Sequence, residues 1–178
     1  MNRPLPRLLL AVATATALAA CSSGPSAPAP APRRAGPAPL DPPAMVAAVR
    51  AAGQTGVELE VQPLRDPQVE DLRDAAAAQE RAGRLRDAEA ALDRALAISV
   101  DDPDLLQWKA ELALLRRAWE QAEQLANSSY ERGPKLGGLC RRNWATVEQS
   151  RLARGDAVGA ANAGAQIARC TVAPPVRM

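Results

Sequence analysis

The return of one small residue at a fixed interval constrains this chain more than any other feature. Ala82–Ile98 (AGRLRDAEAALDRALAI), entered through Gly83-Arg84, places Ala88, Leu92, Ala95 and Leu96 along one side of a helix. That is the i, i+4, i+7, i+8 stripe of an amphipathic helix facing a core. The place of Ala88 is taken again by Ala122, with Trp119 just before it and Pro134 closing the unit. A helical pattern that recurs at such an interval predicts repeated units stacked on one another. Ala dominates the apolar residues, which suits closely spaced helices better than a sheet, where Ala is disfavoured.

The start of the chain has a different logic. Met1–Arg7 carries two arginines, and Leu8–Ala20 (LLLAVATATALAA) is 13 uncharged, mostly apolar residues. That is too short to span a bilayer as a helix and fits the apolar centre of a secretory signal. The segment ends Leu18-Ala19-Ala20-Cys21, which resembles a bacterial lipobox. The resemblance implies cleavage between Ala20 and Cys21, with a diacylglycerol on the Cys21 sulfur. An ordinary signal peptide with an incidental cysteine is the alternative. Ser22, rather than Asp, follows the cysteine. In enterobacterial lipoproteins this pattern implies the outer membrane, with the chain facing the periplasm. Two or more acyl chains anchor stably where one does not.

Ser22–Pro43 has eight prolines in 22 residues and almost no bulky apolar side chains. Such a segment cannot bury enough surface to fold and is expected to be a disordered, semi-rigid spacer. A proline-rich docking ligand is the other reading. Asp41-Pro42-Pro43 then opens a short helix, with Asp as N-cap, Met45, Val46 and Val49 on one face, and Gly53 as the stop. Val57–Val61 (VELEV) alternates apolar and acidic residues like a half-exposed strand, yet the sequence offers no second strand to pair with it. It is expected to pack as an extended segment on the first repeat helix, or to offer an edge to a partner strand.

Asp66-Pro67 and Asp102-Pro103 repeat the same opening device. Leu72, Ala75, Ala76 and Gln79 form the face of the first helix that meets Leu85–Ile98 beyond Gly83. A second unit has Leu106, Ala110 and Ala113, a turn at Ala118-Trp119, then Ala122 and Leu125. A third begins near Leu139, carries Trp144 and Val147, and turns at Gly155-Asp156. It reaches Ala160 four positions late against the Ala88–Ala122 interval, and the Gly-rich connection Gly133–Gly138 accounts for the delay.

Over Pro67–Cys170 these units resemble three tetratricopeptide repeats. That family has a period of about 34 residues, which the step from Ala88 to Ala122 reproduces. The resemblance implies an all-α fold of antiparallel helical hairpins stacked as a short right-handed solenoid. Several positions depart from the family pattern. Its first-helix Gly is Ala76, Ala110 or Glu148, its Tyr is Gln79, Ala113 or Arg151, and Gly164 stands where a bulky residue is expected. A generic array of Ala-rich hairpins is the alternative. The expected organisation is a cleaved signal peptide at 1–20, an anchored linker at 21–43, a short helix plus extended segment at 44–66, the repeat domain at 67–170 and a tail at 171–178.

Tetratricopeptide domains generally bind other proteins in the groove lined by the first helix of each unit. Carried over residue by residue, the resemblance assigns Glu70, Arg73, Ala77 and Glu80 of the first unit to that groove. It adds Gln107, Glu111 and Leu114 of the second, and Arg142, Ala145, Gln149 and Leu152 of the third. Helical spacing is consistent with a shared face within each set. The wall is acidic at one end, apolar in the middle and basic at the other. It lacks the Lys/Asn cluster that clamps a C-terminal carboxylate in chaperone-binding members. An ordinary solvated face would look much the same.

The chain has no His, which excludes Ser-His and Cys-His catalytic pairs and His-ligated metals. It also lacks G-x-S-x-G, a phosphate-binding Gly loop and C-x-x-C, so no catalytic residue, metal or cofactor is expected. Loss of Arg3 and Arg7 with the signal would leave 20 basic against 20 acidic residues. A neutral chain with few aromatics is a poor nucleic-acid binder. With Cys21 acylated, Cys140 and Cys170 remain as an even pair in an exported protein. They begin and end the third hairpin, where an antiparallel pair brings its ends together, so a disulfide is expected rather than two buried thiols. The expected function is a periplasm-facing adaptor or assembly factor that binds envelope proteins. The alternative is a cell-wall glycan binder, or an accessory to a peptidoglycan enzyme. No small-molecule substrate is expected.

Overall fold

A computed structural model describes residues 40–56 and 64–171. Ala20, Cys21, the Pro/Ala-rich stretch up to residue 39, Val57–Val61 and residues 172–178 lie outside them. The described residues are all-helical, with seven helices and no strand: α1 Pro42–Gly53, α2 Pro67–Arg81, α3 Leu85–Ile98, α4 Pro103–Leu115, α5 Trp119–Arg132, α6 Gly137–Ala153 and α7 Ala157–Arg169. None of these helices is long and apolar enough to cross a membrane.

Three of the helix starts are fixed by side-chain caps. Asp66 accepts from the Gln68 amide at 2.8 Å, Asp102 from the Asp104 amide at 2.9 Å, and Asp156 from the Gly159 amide at 2.8 Å. Asp41 precedes α1 as expected, but its side chain makes no capping bond. Pro42 in the first helical position removes one of the orphan donors that such a cap would serve. The three connections α2–α3, α4–α5 and α6–α7 each turn through a residue of left-handed backbone: Gly83 (φ 73°), Arg117 (φ 60°) and Gly155 (φ 78°). Arg117 follows Gly83 by the same interval that separates Ala122 from Ala88, so the turn geometry keeps the period even where the glycine is lost.

These tight turns fold α2/α3, α4/α5 and α6/α7 into antiparallel hairpins, and the hairpins stack on one another. The recurring small residues Ala88, Ala122 and Ala160 are buried at 0%, 0% and 1% exposure, where helix meets helix. The first core joins Val69, Leu72 and Ala76 of α2 to Ala88, Leu92 and Ala95 of α3 and Leu105 and Leu112 of α4. Ala75, expected on this face, is exposed instead. It lies beside Ala97 and Ile98 in a shallow cleft on the first hairpin. An end unit has a neighbour on one side only. Trp144 packs edge-on to Tyr130, with ring centroids 5.0 Å apart, against a small cluster of Ala110, Ala126, Val147 and Ala163.

The two departures in the third unit explain one another. A Cβ on Gly164 would lie 2.8 Å from Oε1 of Glu148. The missing side chain on α7 thus makes room for the carboxylate that replaces a small residue on α6. Burial pushes the Glu148 carboxyl above its ordinary value. Its folded pKa therefore exceeds its unfolded one, so the fold loses stability as pH rises from the unfolded value through the folded one. Glu148→Gln should be more stable than the parent at pH 7 and lose that advantage near pH 4, as read by urea denaturation at both. A parallel pH dependence in the two proteins would show that Glu148 is not the group responsible.

Candidate interaction groove

The first helices of units two and three, α4 and α6, run side by side, and α1 packs against both. Met45, Val46 and Val49 of α1 join Ala113 and Leu114 of α4, Ala122 of α5 and Ala145 of α6 in one buried cluster. The described residues from Leu40 onward belong to one compact unit, so α1 is part of the repeat body and not a separate appendage. Its C-terminal end is held closely. Arg141 of α6 donates from Nε to the Ala52 carbonyl at 3.1 Å and from Nη2 to the Gly53 carbonyl at 3.4 Å, capping the last turn. A Cβ on Gly138 would sit 2.6 Å from the Gly53 oxygen, so this approach of α1 to the start of α6 needs a glycine.

A charged cluster completes the lock. Glu111 on α4 is fully buried. Its Oε2 accepts from Arg50 Nε of α1 at 2.8 Å, and its Oε1 from Arg142 Nε of α6 at 2.9 Å. Gln107 Nε2 donates to the same Oε1 at 3.1 Å and to Thr146 Oγ1 at 2.8 Å. Arg50 Nη2 also reaches Glu80 Oε1 of α2 at 2.7 Å, and Trp108 Nε1 donates to Glu80 Oε2 at 2.7 Å. Burial by itself would lower the Arg50 pKa, but Glu111 and Glu80 together outweigh it and raise the value, so this guanidinium is charged at every working pH. Four helices are tied through two carboxylates.

The predicted groove residues divide accordingly. Gln107, Glu111, Leu114 and Ala145, expected on an open wall, are buried at 0%, 0%, 0% and 4% exposure. The chain covers this part of the groove itself: α1 lies over Leu114, Ala145 and Glu111, and Gln107 is bonded between Glu111 and Thr146 of α6. Glu70 is exposed and lies within 3.6 Å of Arg65, and Arg73 sits 5.4 Å over the Trp108 ring. Gln149 is half-buried, and Leu152 is 49% exposed. Ala77, Glu80, Glu111 and Arg142 do converge, around a cavity of about 460 Å³ that α1 leaves uncovered. Its remaining walls include Arg50, Arg81 and Trp108, none of which the repeat resemblance singles out. Trp108, three residues before Glu111, is the one with a sequence signal, because that spacing makes the two neighbours on a helix surface. Among the described residues no three His, Cys, Asp or Glu side chains converge as metal ligands would. Cys140 and Cys170 are joined by a disulfide, with Cα atoms 5.6 Å apart.

No family model matches the chain, and no curated protein does. Among solved structures, the globular C-terminal domain of LpoP from P. aeruginosa is similar, with 30% identity and a TM-score of 0.55. The match covers 99% of that domain and 59% of this chain. The chain belongs to the family of this LpoP domain. The likeness thus extends over essentially a whole globular unit and leaves a large part of the present chain beyond it.

Proposed function

We propose that the chain is an outer-membrane lipoprotein, anchored through Cys21 and facing the periplasm, whose tetratricopeptide-like hairpins form an adaptor for an envelope protein. The observation that carries this reading is the cavity between α1, α2, α4 and α6, which lies where the repeat resemblance puts a partner-binding groove. The relation to the LpoP domain supports it. A protein partner is favoured over a glycan because the aromatic groups are already engaged. Trp108 is bonded to Glu80 and covered by Arg73, and Trp144 is packed on Tyr130. A linker of the 19 residues between Cys21 and Asp41, if extended at about 3.1 Å per residue, would reach roughly 60 Å. That reach would bring the domain toward the cell wall, so the partner we put first is an enzyme of peptidoglycan assembly, with this chain as its accessory.

Affinity purification from detergent extracts of envelopes tests the reading. The parent protein should recover a stoichiometric envelope protein. Cys21→Ser should lose acyl label and leave the membrane fraction. Sedimentation with purified cell wall and no protein partner would favour the glycan binder, and unchanged acyl label in the variant would refute the anchor.

A further inference from the structure

We infer that the cavity between α1, α2, α4 and α6 receives an acidic side chain from a short segment of the partner protein, with Arg81 as its principal contact. The inference rests on the adaptor reading and narrows it. Because α1 fills the groove beside Leu114 and Ala145, the concave part of the groove left to a partner is the cavity. At about 460 Å³ this space falls within the roughly 300–1,000 Å³ of ordinary ligand pockets, which suits a short peptide segment and not a folded domain.

Arg50, Arg81 and Arg142 line that space together with Glu80, Glu111 and Asp104, and Arg81 is the lining cation that no carboxylate matches among the described residues. Two of the three carboxylates are withdrawn, and the third, Asp104, is 30% exposed but held by Arg65. Glu111 is fully buried between Arg50 and Arg142, and the Glu80 side chain is 15% exposed and bonded to Arg50 and Trp108. Asp104, also on the wall, is paired with Arg65 at 2.7 Å. Arg50 and Arg142 keep side-chain exposures of 41% and 27%. Arg81 is exposed in the last turn of α2 and makes no hydrogen bond or ion pair among the described residues. It therefore offers a whole planar fork, the geometry that takes a carboxylate through two parallel bonds. Ala77 and Leu139 supply apolar wall beside it, fitting a small or apolar residue next to the acid.

The test is selection of a displayed random-peptide library on the full chain in detergent. The expected result is enrichment of Asp or Glu beside a small apolar residue, with affinity falling at least about tenfold on Arg81→Glu and less on Arg81→Lys. Circular dichroism should show both variants folded, since Arg81 has no partner to lose. A neutral or basic consensus, or acidic peptides that bind Arg81→Glu equally well, would overturn the cavity assignment and leave the adaptor reading standing. No enrichment at all would count against both. Soluble disaccharide-peptide fragments of the cell wall serve as a second probe. Arg81-dependent binding of these with no peptide enrichment would give the arginines to cell-wall carboxylates and overturn the protein occupant.

Discussion

Glu111→Gln should destabilise the protein by about 2–3 kcal/mol, most of it through the loss of a buried counter-charge. Glu111 is inaccessible to solvent and bridges two guanidinium groups, one from α1 and one from α6. An amide preserves the shape but leaves two cations facing each other across α4. Breaking a fully buried pair costs about 3–5 kcal/mol. Here Arg50 and Arg142 keep 41% and 27% side-chain exposure and Arg50 retains Glu80, so water and the second carboxylate blunt the cost. The damage should be directional. Hydrogen exchange in α1 should rise before that in α2–α5, because α1 is held by this cluster, the Arg141 cap and one apolar stripe. Replacing Arg50, Glu111 and Arg142 together by Met, Leu and Met, with Glu80→Gln so that its carboxylate is not left without Arg50, should recover much of the loss, since no buried charge is then left unpaired. Urea denaturation of the three proteins decides it. A Glu111→Gln midpoint equal to the parent's would mean that the cluster does not hold α1.

The helices were legible because their signals are local. Asp-Pro openings and turn glycines act within one hairpin and mark boundaries that the structure keeps, and the Ala88/Ala122 spacing repeats one buried helix position in the next hairpin. The position of α1 was not legible. Met45, Val46 and Val49 say that this helix must bury one face, but nothing local says against what. Ala113, Leu114 and Ala145 say only that they need cover, which a partner or the chain itself can supply. The deciding contact, Arg50 to Glu111, spans 61 residues and has no periodic trace in the sequence. For the same reason the middle of the predicted groove wall, Leu114 and Ala145, is core, and what stays open is the charged cavity at one end and Leu152 at the other. Glu148 and Gly164 stood out singly as departures from the repeat pattern. That one accommodates the other depends on the register of α6 against α7, which is a property of the hairpin and of neither helix alone.

Opening the Cys140–Cys170 bridge should cost roughly 3–4 kcal/mol in the chain-entropy model, the second large effect expected. The bridge closes a loop across 30 residues of sequence, and both cysteines are 1% exposed. It clips the start of α6 to the end of α7 in the last hairpin, which lacks a following unit to pack on among the described residues. Two other contacts converge on the same spot. The Gly137 amide donates to the Cys170 carbonyl at 2.7 Å, and Arg141 bonds Thr171 Oγ1 at 3.3 Å while capping α1. Loosening the end of α7 should therefore also loosen α1, although the bridge never touches it. The measurement is urea denaturation of the full chain with and without reductant, beside a Cys140→Ala plus Cys170→Ala variant, which avoids placing hydroxyls in a buried site. The variant should match the reduced parent and ignore reductant, and hydrogen exchange should rise in α7 and in the last turn of α1. If reduction leaves the parent's midpoint where it was, the bridge contributes nothing to stability. If it falls but α1 stays protected, the cap by Arg141 holds α1 without help from the disulfide.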